Sequence, residues 1–354
     1  MKKTFFANQL LLWYSVHKRD LPWRNHKNPY YIWLSEVLLQ QTRVQQGLPY
    51  YEKFVEHYPS VEQLAAADEK DILRLWQGLG YYSRARNLHA AAKYIVNELQ
   101  GTIPDTYAGL MKLKGVGNYT AAAIASFAFN ENVAVLDGNV YRVLARVFGI
   151  HTDIASGTGG KEFAALAKKL LPQENSSEYN QAIMEFGALH CTPAQPKCPI
   201  CPLQAECLSY KNNWQQILPV KINKLKKKFR YFNYIVFKYQ GEFLMRERVK
   251  GDIWTGLYEF HLVERASLES PAELIDVFGT LSKDITATLV SKDYKHLLTH
   301  QTIFARFLVW DIGNEKSMLS LKRKFKLELF GQESIQKLPK PVLIIKFLDD
   351  YVFV

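Results

Sequence analysis

All four cysteines of the 354-residue chain fall between positions 191 and 207. Cys191, Cys198, Cys201 and Cys207 follow the spacing C-x6-C-x2-C-x5-C. A disulfide framework would spread its cysteines along the chain, whereas this crowding, in a reducing compartment, marks a metal site. Four thiolates from one loop suit a tetrahedral zinc ion or a [4Fe–4S] cluster, and spacing alone does not separate the two. Either way the segment must close on itself as a compact knob, with Pro199 and Pro202 in its turns and Lys197 on its surface.

The residues before this loop read almost wholly as helices. Helical periodicity with polar or Gly/Pro breaks predicts helices over 5–17, 48–57, 61–66, 69–76, 83–98, 106–112, 139–148, 161–171 and 178–190. Another opens at Asn28-Pro29, a capping residue followed by proline in the first turn, and runs through YYIWLSEVLLQQT. Composition shifts after Trp214. Residues 221–228 hold five lysines, which reads as a solvated linker over 216–229. From Arg230 the period becomes that of strands, in YFNYIVFKY, GEFLMRER, LYEFHLVE and HQTIFARFLVWDI. Helices are predicted at 271–278, 317–328 and after Pro341. The expected organisation is therefore a mostly α region over 1–215, the basic linker, and an α+β domain over 230–354.

Formal net charge is +11. Residues 1–215 carry 22 basic and 18 acidic side chains, a net of +4, and the remainder carries 23 and 16, a net of +7. This balance fits a polyanionic partner such as nucleic acid. No apolar run reaches membrane-spanning length. The start, MKKTFFANQLLLWYSVHKRD, is interrupted by Asn8, Gln9 and Trp13 and lacks a small-residue cleavage site, so it reads as an amphipathic helix of a cytoplasmic protein.

Two carboxylates stand out. LKGVGNYTAAAIASFAF reads as a tight Gly-Val-Gly turn leading into a helix. Gly115 and Gly117 permit positive φ and close approach of a ligand, and free N–H groups at such a turn attract phosphate. The apolar run Val133–Leu136 then delivers Asp137, followed by Gly138 and Asn139. Asp137 is also a natural helix cap. Glu36 lies among Leu34, Val37, Leu38 and Leu39. Buried there, its carboxyl would be raised and able to donate a proton near neutrality, although the helical wheel alone favours a solvated face. Paired carboxyl groups are the usual equipment for breaking a glycosidic bond.

SEVLLQQTRV, GLGYYSRARNL, LKGVGNYTAAAI, VLDGNVYRVLAR and the cysteine loop, in this order, resemble the adenine DNA glycosylases of the MutY type, helix-hairpin-helix base-excision enzymes. The resemblance implies removal of adenine mispaired with 8-oxoguanine or guanine in duplex DNA, and a [4Fe–4S] cluster on Cys191, Cys198, Cys201 and Cys207. By position it implies Glu36 as the acid, Asp137 as the carboxylate stabilising the sugar cation, and Tyr119 and Asn139 as supporting catalytic residues. Arg24 and Glu185, with Trp23 beside them, would contact the extruded adenine. Gln41 and Tyr82 would fill or wedge the base stack, and Gly115 and Gly117 would grip phosphate. Related bifunctional enzymes of the endonuclease III type carry a lysine where this chain has Tyr119, and a phenol cannot form a Schiff base. The resemblance thus implies a monofunctional, monomeric, nucleoid-associated enzyme. The alternatives are a bifunctional glycosylase/lyase and a non-catalytic iron–sulfur DNA-binding protein.

In this family the carboxy-terminal domain resembles a Nudix fold and reads the lesion opposite adenine. The acidic REx2E core of a Nudix hydrolase is absent here. The family's lesion-reading Phe-Ser-His becomes Leu298-Thr299-His300, with His296 just before it. Thr299 and His300 keep the hydroxyl and the imidazole, and Leu298 loses the aromatic ring.

Overall fold

The computed structural model describes residues 2–222, 227–249 and 251–353. Part of the expected basic linker, residues 223–226, lies outside the described residues. The helices run in chain order as α1 (Lys3–His17), α2 (Pro29–Leu39), α3 (Val44–His57), α4 (Val61–Ala66), α5 (Glu69–Leu75), α6 (Ser83–Leu99), α7 (Tyr107–Leu110), α8 (Asn118–Phe129), α9 (Gly138–Phe148), α10 (Gly157–Leu170), α11 (Ser176–Leu189) and α12 (Leu208–Asn212). The chain divides into two compact units: Met1–Ala66 with Asn87–Asn223, and Ala67–Arg86 with Lys224–Val354.

In the first unit, α2 starts as its sequence dictates. The Asn28 side chain accepts from the Tyr30 N–H, and Pro29 occupies the first turn. The helix stops at Leu39, earlier than expected, because Gln40 turns extended and Gln41 takes a left-handed φ of 56°. α8 packs against α2. Its Ala121–Ala125 stretch is buried throughout, and these small side chains let the two helices approach closely. A second apolar layer joins α1, α9, α10 and α11 through Phe6, Leu10, Leu144, Phe163, Ile183 and Phe186.

The second unit contains a mixed sheet of eight strands among the described residues: β1 (Lys228–Tyr239), β2 (Glu242–Glu247), β3 (Tyr258–Glu259), β4 (His261–Arg265), β5 (Ile285–Val290), β6 (Tyr294–Leu297), β7 (Gln301–Ile312) and β8 (Glu328–Phe330). The main path runs β3-β2-β1-β7-β5. β1 and β7 pair in parallel from Lys228↔Gln301 to Lys238↔Asp311. Both strands are buried on both faces, which is why they read as nearly continuous aromatic and β-branched runs. Phe232, Tyr234 and Val236 point to a core shared with α15 (Val342–Tyr351) and α14 (Gln332–Lys337), whereas Ile235 and Phe237 point to one shared with α13 (Glu315–Phe325).

Three features differ from the sequence-based expectation. Residues 271–278 form turns and a 3-10 turn at Ile275–Val277 rather than a helix, and Gly279 reverses the chain with φ +61°. Strands β6 (YKHL) and β8 (ELF) are too short to read as strands alone, and β5 (ITATLV), though rich in β-branched residues, was not expected from the sequence. Ala67–Arg86 has helical composition but belongs with the second unit. There the Lys340 N–H donates to Gln77 Oε1 at 2.9 Å and Arg86 Nη1 donates to the Thr255 carbonyl at 2.5 Å.

Candidate active site

A cavity of about 570 Å³ in the first unit is lined by Glu36, Tyr119, Asp137, Asn139, Glu185 and Arg24, with Trp23 in its wall. α2 supplies Glu36 and α8 supplies Tyr119, so the close approach of these helices brings the two side chains together. The Tyr119 hydroxyl donates to Glu36 Oε2 at 2.6 Å. Glu36 is only 7% exposed, so the solvated-face alternative does not hold. Burial pushes its carboxyl up to about 7; the Tyr119 hydrogen bond works against this, and the charge of Asp137 adds to it. A carboxyl poised there is half protonated at neutral pH, as a general acid requires.

Asp137 caps α9. Its Oδ1 accepts from the Val140 N–H at 2.7 Å, and its Oδ2 accepts from Asn139 Nδ2 at 2.6 Å. Burial raises this carboxyl, and those two hydrogen bonds oppose the rise by favouring the charged form. One residue is therefore both helix cap and charged wall of the cavity.

Glu185 is almost fully buried on α11. It accepts from Arg19 through the backbone N–H, Nε and Nη2, and from Arg24 through Nη1 and Nη2, at 2.6–3.1 Å. Burial alone would raise this carboxyl, but the arginines outweigh it and hold it at about 2. Glu185 thus fixes two guanidinium groups at the cavity wall. Arg19 was missed at the sequence level, because nothing in the Lys18-Arg19-Asp20 run distinguishes it from a surface charge. Trp23 is buried edge-on against Tyr51, with centroids 5.1 Å apart.

Arg142 was also missed. It lies on α9 with Nη2 donating to Asn139 Oδ1 at 2.8 Å and to the Gly187 carbonyl at 2.6 Å, while Nε donates to the Cys191 carbonyl at 2.7 Å. One turn on, buried Arg146 donates to the carbonyls of Thr192, Pro193 and Leu218, and its Nη1 lies 3.5 Å from Cys191 Sγ. The available signal was two arginines four residues apart on the apolar face of a helix. Together they tie the cysteine loop to the helix that Asp137 caps.

The four cysteines are free thiols. Cys191, Cys201 and Cys207 pack against the core of α1, α9, α10 and α11. Burial pushes Cys201 up to about 12 and also raises Cys198 and Cys207, and charge on neighbouring cysteines adds to each rise. No group of three His, Cys, Asp or Glu among the described residues is arranged to hold a single metal ion. The all-sulfur donor set, drawn from one loop and backed by Arg146, fits the ligand chemistry of an iron–sulfur cluster.

Gln41, Gly115 and Gly117 line a second opening, of about 640 Å³, which shares Glu36, Tyr119 and Asp137 with the first. Gly115 needs to be glycine: its φ is +80°, and a Cβ would meet Asn87 Cβ at 2.6 Å. Gly117 does not match the expectation of positive φ. Its φ is −98°, and a Cβ there would meet nothing within 4 Å, so it leaves open space beside the first N–H groups of α8. Gln41 is exposed on its left-handed turn.

The Tyr82 ring is 5% exposed, and its hydroxyl lies at the Lys340 carbonyl, yet it lines a cavity beside the 78–83 turn. The preceding residue, Tyr81, is 44% exposed on a turn with φ 49°. Its hydroxyl bonds Thr299 Oγ1, within the second unit. Thr299 and His300 are exposed at the tip of the β6–β7 hairpin, and Leu298 packs against the sheet core. Leu298 therefore anchors the tip rather than projecting from it.

Gly187 sets the spacing between α11 and α9. A Cβ there would meet Asn139 Cβ at 2.7 Å and the Asn139 carbonyl at 2.9 Å. Gly187→Ala is expected to push Asn139 off Asp137 and lower the single-turnover rate roughly tenfold, while costing about 1–3 kcal/mol of stability as an overpacked contact. Single-turnover kinetics with a thermal melt checks both; an unchanged rate would mean that this contact does not position Asn139.

Residues 34–173 match the HhH-GPD superfamily of base excision DNA repair proteins. The chain is 34% identical over 350 residues to the adenine DNA glycosylase of Buchnera aphidicola subsp. Baizongia pistaciae, spanning 97% of this chain and 96% of that protein. It is 44% identical over 216 residues to the adenine DNA glycosylase of Mus musculus, spanning 58% of this chain and 42% of the mouse protein. A solved thermostable thymine-DNA glycosylase superposes with a TM-score of 0.56 at 30% identity, over 59% of this chain and 97% of its own. An endonuclease III in a non-covalent complex with DNA shares the fold, with a TM-score of 0.53 at 23% identity, over 61% of this chain and 99% of its own. With the Buchnera protein matched almost end to end, the chain belongs to the adenine DNA glycosylases of the HhH-GPD base excision repair superfamily.

Proposed function

We propose that this protein is a monofunctional glycosylase that excises adenine opposite 8-oxoguanine or guanine in duplex DNA. The observation that carries this reading is the buried Glu36 carboxyl, raised to about 7, bonded to Tyr119 and sharing its cavity with Asp137. An adenine flipped from the duplex costs a few kcal/mol of unstacking, and DNA contacts offset this. Glu36 passes its proton to a ring nitrogen of the base. The C1′–N bond then breaks with its electron pair leaving on adenine. Asp137 faces the positive charge that develops on the sugar. Water adds to C1′, and its proton returns to the Glu36 carboxylate. Arg19 and Arg24, fixed by Glu185, supply donors at the cavity wall.

Gln41, exposed on a left-handed turn, and Tyr82, beside exposed Tyr81 at the 78–83 turn, are the side chains that fill or wedge the base stack. Thr299 and His300 are the lesion-facing pair, on a Nudix-like unit that lacks the acids for hydrolysing nucleotides. Cys191, Cys198, Cys201 and Cys207 would hold a [4Fe–4S] cluster, which when bound braces the loop and adds local charge. The enzyme acts as a monomer on nucleoid DNA in the cytoplasm; among the described residues no helix is long and apolar enough to cross a membrane.

Single-turnover incubation with duplexes carrying adenine opposite 8-oxoguanine, guanine or thymine, followed by alkali, tests this reading. Cleavage is expected fastest opposite 8-oxoguanine; none opposite any partner would overturn it. Because Tyr119 is a phenol rather than an amine, borohydride is expected to trap no covalent adduct. Robust trapping by the wild type would establish lyase chemistry instead.

A further inference from the structure

A cavity of about 770 Å³ in the second unit has three walls: the 78–83 turn, the 296–301 hairpin and the 251–254 loop. The first two carry Tyr81, Thr299 and His300. The third contributes no residue to the reading of the lesion described above, yet two arginines hold it in place. Trp254 sits at φ +63°, a conformation that a bulky side chain rarely adopts. Such a backbone persists only where its surroundings over-determine it, and these cases gather at functional sites.

The surroundings are a cage of paired charges, in which Arg230, Arg248 and Glu259 are buried and Asp252 and Glu264 reach solvent. Arg230 grips Asp252 with both terminal nitrogens, at 2.9 and 2.7 Å, and pairs with Glu264. Arg248 donates to Asp252 Oδ2 at 2.6 Å, to the Ile253 carbonyl at 2.7 Å and to buried Glu259. The Leu257 N–H closes the turn onto the Trp254 carbonyl at 3.0 Å. The indole is thereby set edge-on to Phe232 at 6.2 Å and to His296 at 5.6 Å. His296 is on β6, two residues before Leu298 and three before Thr299. A stiff ring therefore backs the strand that leads into the hairpin tip.

We propose that Trp254 is a positioning residue for recognition of the base opposite adenine: its ring, locked by the Arg230–Asp252–Arg248 cage, holds His296 and so orients Thr299 and His300. This rests on the reading of Thr299 and His300 as the lesion-facing pair. A residue that only supported folding would slow excision opposite every partner base alike. A residue that orients the tip changes the ratio between partners.

The experiment measures single-turnover excision of adenine opposite 8-oxoguanine and opposite guanine for the wild type, Trp254→Leu, Trp254→Phe, and Thr299→Ala combined with His300→Ala. Trp254→Leu is expected to lower the 8-oxoguanine to guanine preference at least tenfold, with the rate opposite guanine within twofold of wild type. Trp254→Phe, which restores a ring, is expected to recover most of the preference. Should Trp254→Leu fail to fold, the smaller but measurable loss of preference in Trp254→Phe decides, and an unchanged preference there overturns the proposal. If the double variant loses its preference while Trp254→Leu keeps it, or loses rate equally on both duplexes, Trp254 has no positioning role although the lesion-facing pair stands. If the double variant keeps its preference, the lesion-facing assignment fails, and the role of Trp254 fails with it.

Discussion

Glu36→Gln is expected to reduce adenine release by roughly 10²–10⁴-fold, the usual contribution of a positioned general acid, while leaving DNA affinity within twofold. The glutamine is nearly isosteric, and its amide oxygen can still accept the Tyr119 hydroxyl proton, so the cavity keeps its shape. What disappears is a proton that can be given to the base. The same carboxyl fixes the pH dependence of the wild type. Burial raises it to about 7, so the protonated fraction, and with it the single-turnover rate, declines as pH rises above neutrality. Stability follows with a definite sign. A carboxyl raised from 4.5 to about 7 favours the fold below pH 4.5, and that advantage is lost as pH rises through 7. The gap of about 2.5 units corresponds to about 3 kcal/mol. Glutamine carries no such penalty, so the inactive variant is expected to melt higher than wild type at pH 8.5 and to match it near pH 4.5. Calorimetry at the two pH values, beside rate measurements from pH 5.5 to 9, checks both halves. A variant that still excises adenine at full rate would remove Glu36 from the acid role.

How much of this site is legible in the sequence depends on the kind of interaction. Asp137 announces itself locally: an apolar run, an acid, Gly138 and Asn139 form a helix start that needs no tertiary context. Glu36 is ambiguous in its own helix, because periodicity permits a solvated or a buried face. Only the packing of α8, with its run of alanines, decides between them. Arg142 and Arg146 were visible as charges on an apolar helix face, but their partners are backbone carbonyls far along the chain, and a carbonyl leaves no mark in a sequence. The Tyr81-Tyr82 pair shows a finer limit. Motif position points to Tyr82, and a left-handed turn leaves the neighbouring Tyr81 ring the more exposed of the two; φ is not written in two identical residues. Ala67–Arg86 reads as helix either way, so its membership of the second unit rests on partners such as Thr255 and Lys340. The short strands β6 and β8 were overlooked because four and three residues carry no period, so neighbours in the sheet make them strands; β5 carried β-branched residues and was overlooked in spite of them.

Asp137→Asn is expected to cost roughly 10²–10³-fold in excision rate, the scale set by losing one aligned electrostatic partner of a developing charge. The argument goes beyond loss of the charge, because the surrounding hydrogen bonds are directional. Arg142 can only donate, so it fixes the Asn139 amide with Oδ1 toward itself and Nδ2 toward Asp137. The Val140 N–H also donates to Asp137. Residue 137 must therefore accept on both oxygens, which a carboxylate does and an amide does not. Asparagine can cap the helix or accept from Asn139, leaving two donors opposed at the other atom, at a cost of about 1–3 kcal/mol. A lower melting temperature is thus expected alongside the lost rate. Glu36 supplies an independent readout. The charge of Asp137 helps to hold the Glu36 carboxyl up, so its removal should shift the pH midpoint of the residual activity below that of the wild type. A variant with reduced rate but an unmoved midpoint would mean that the two carboxyl groups do not sense one another in the working enzyme. Retention of the full rate would mean that the sugar cation is stabilised by some other group.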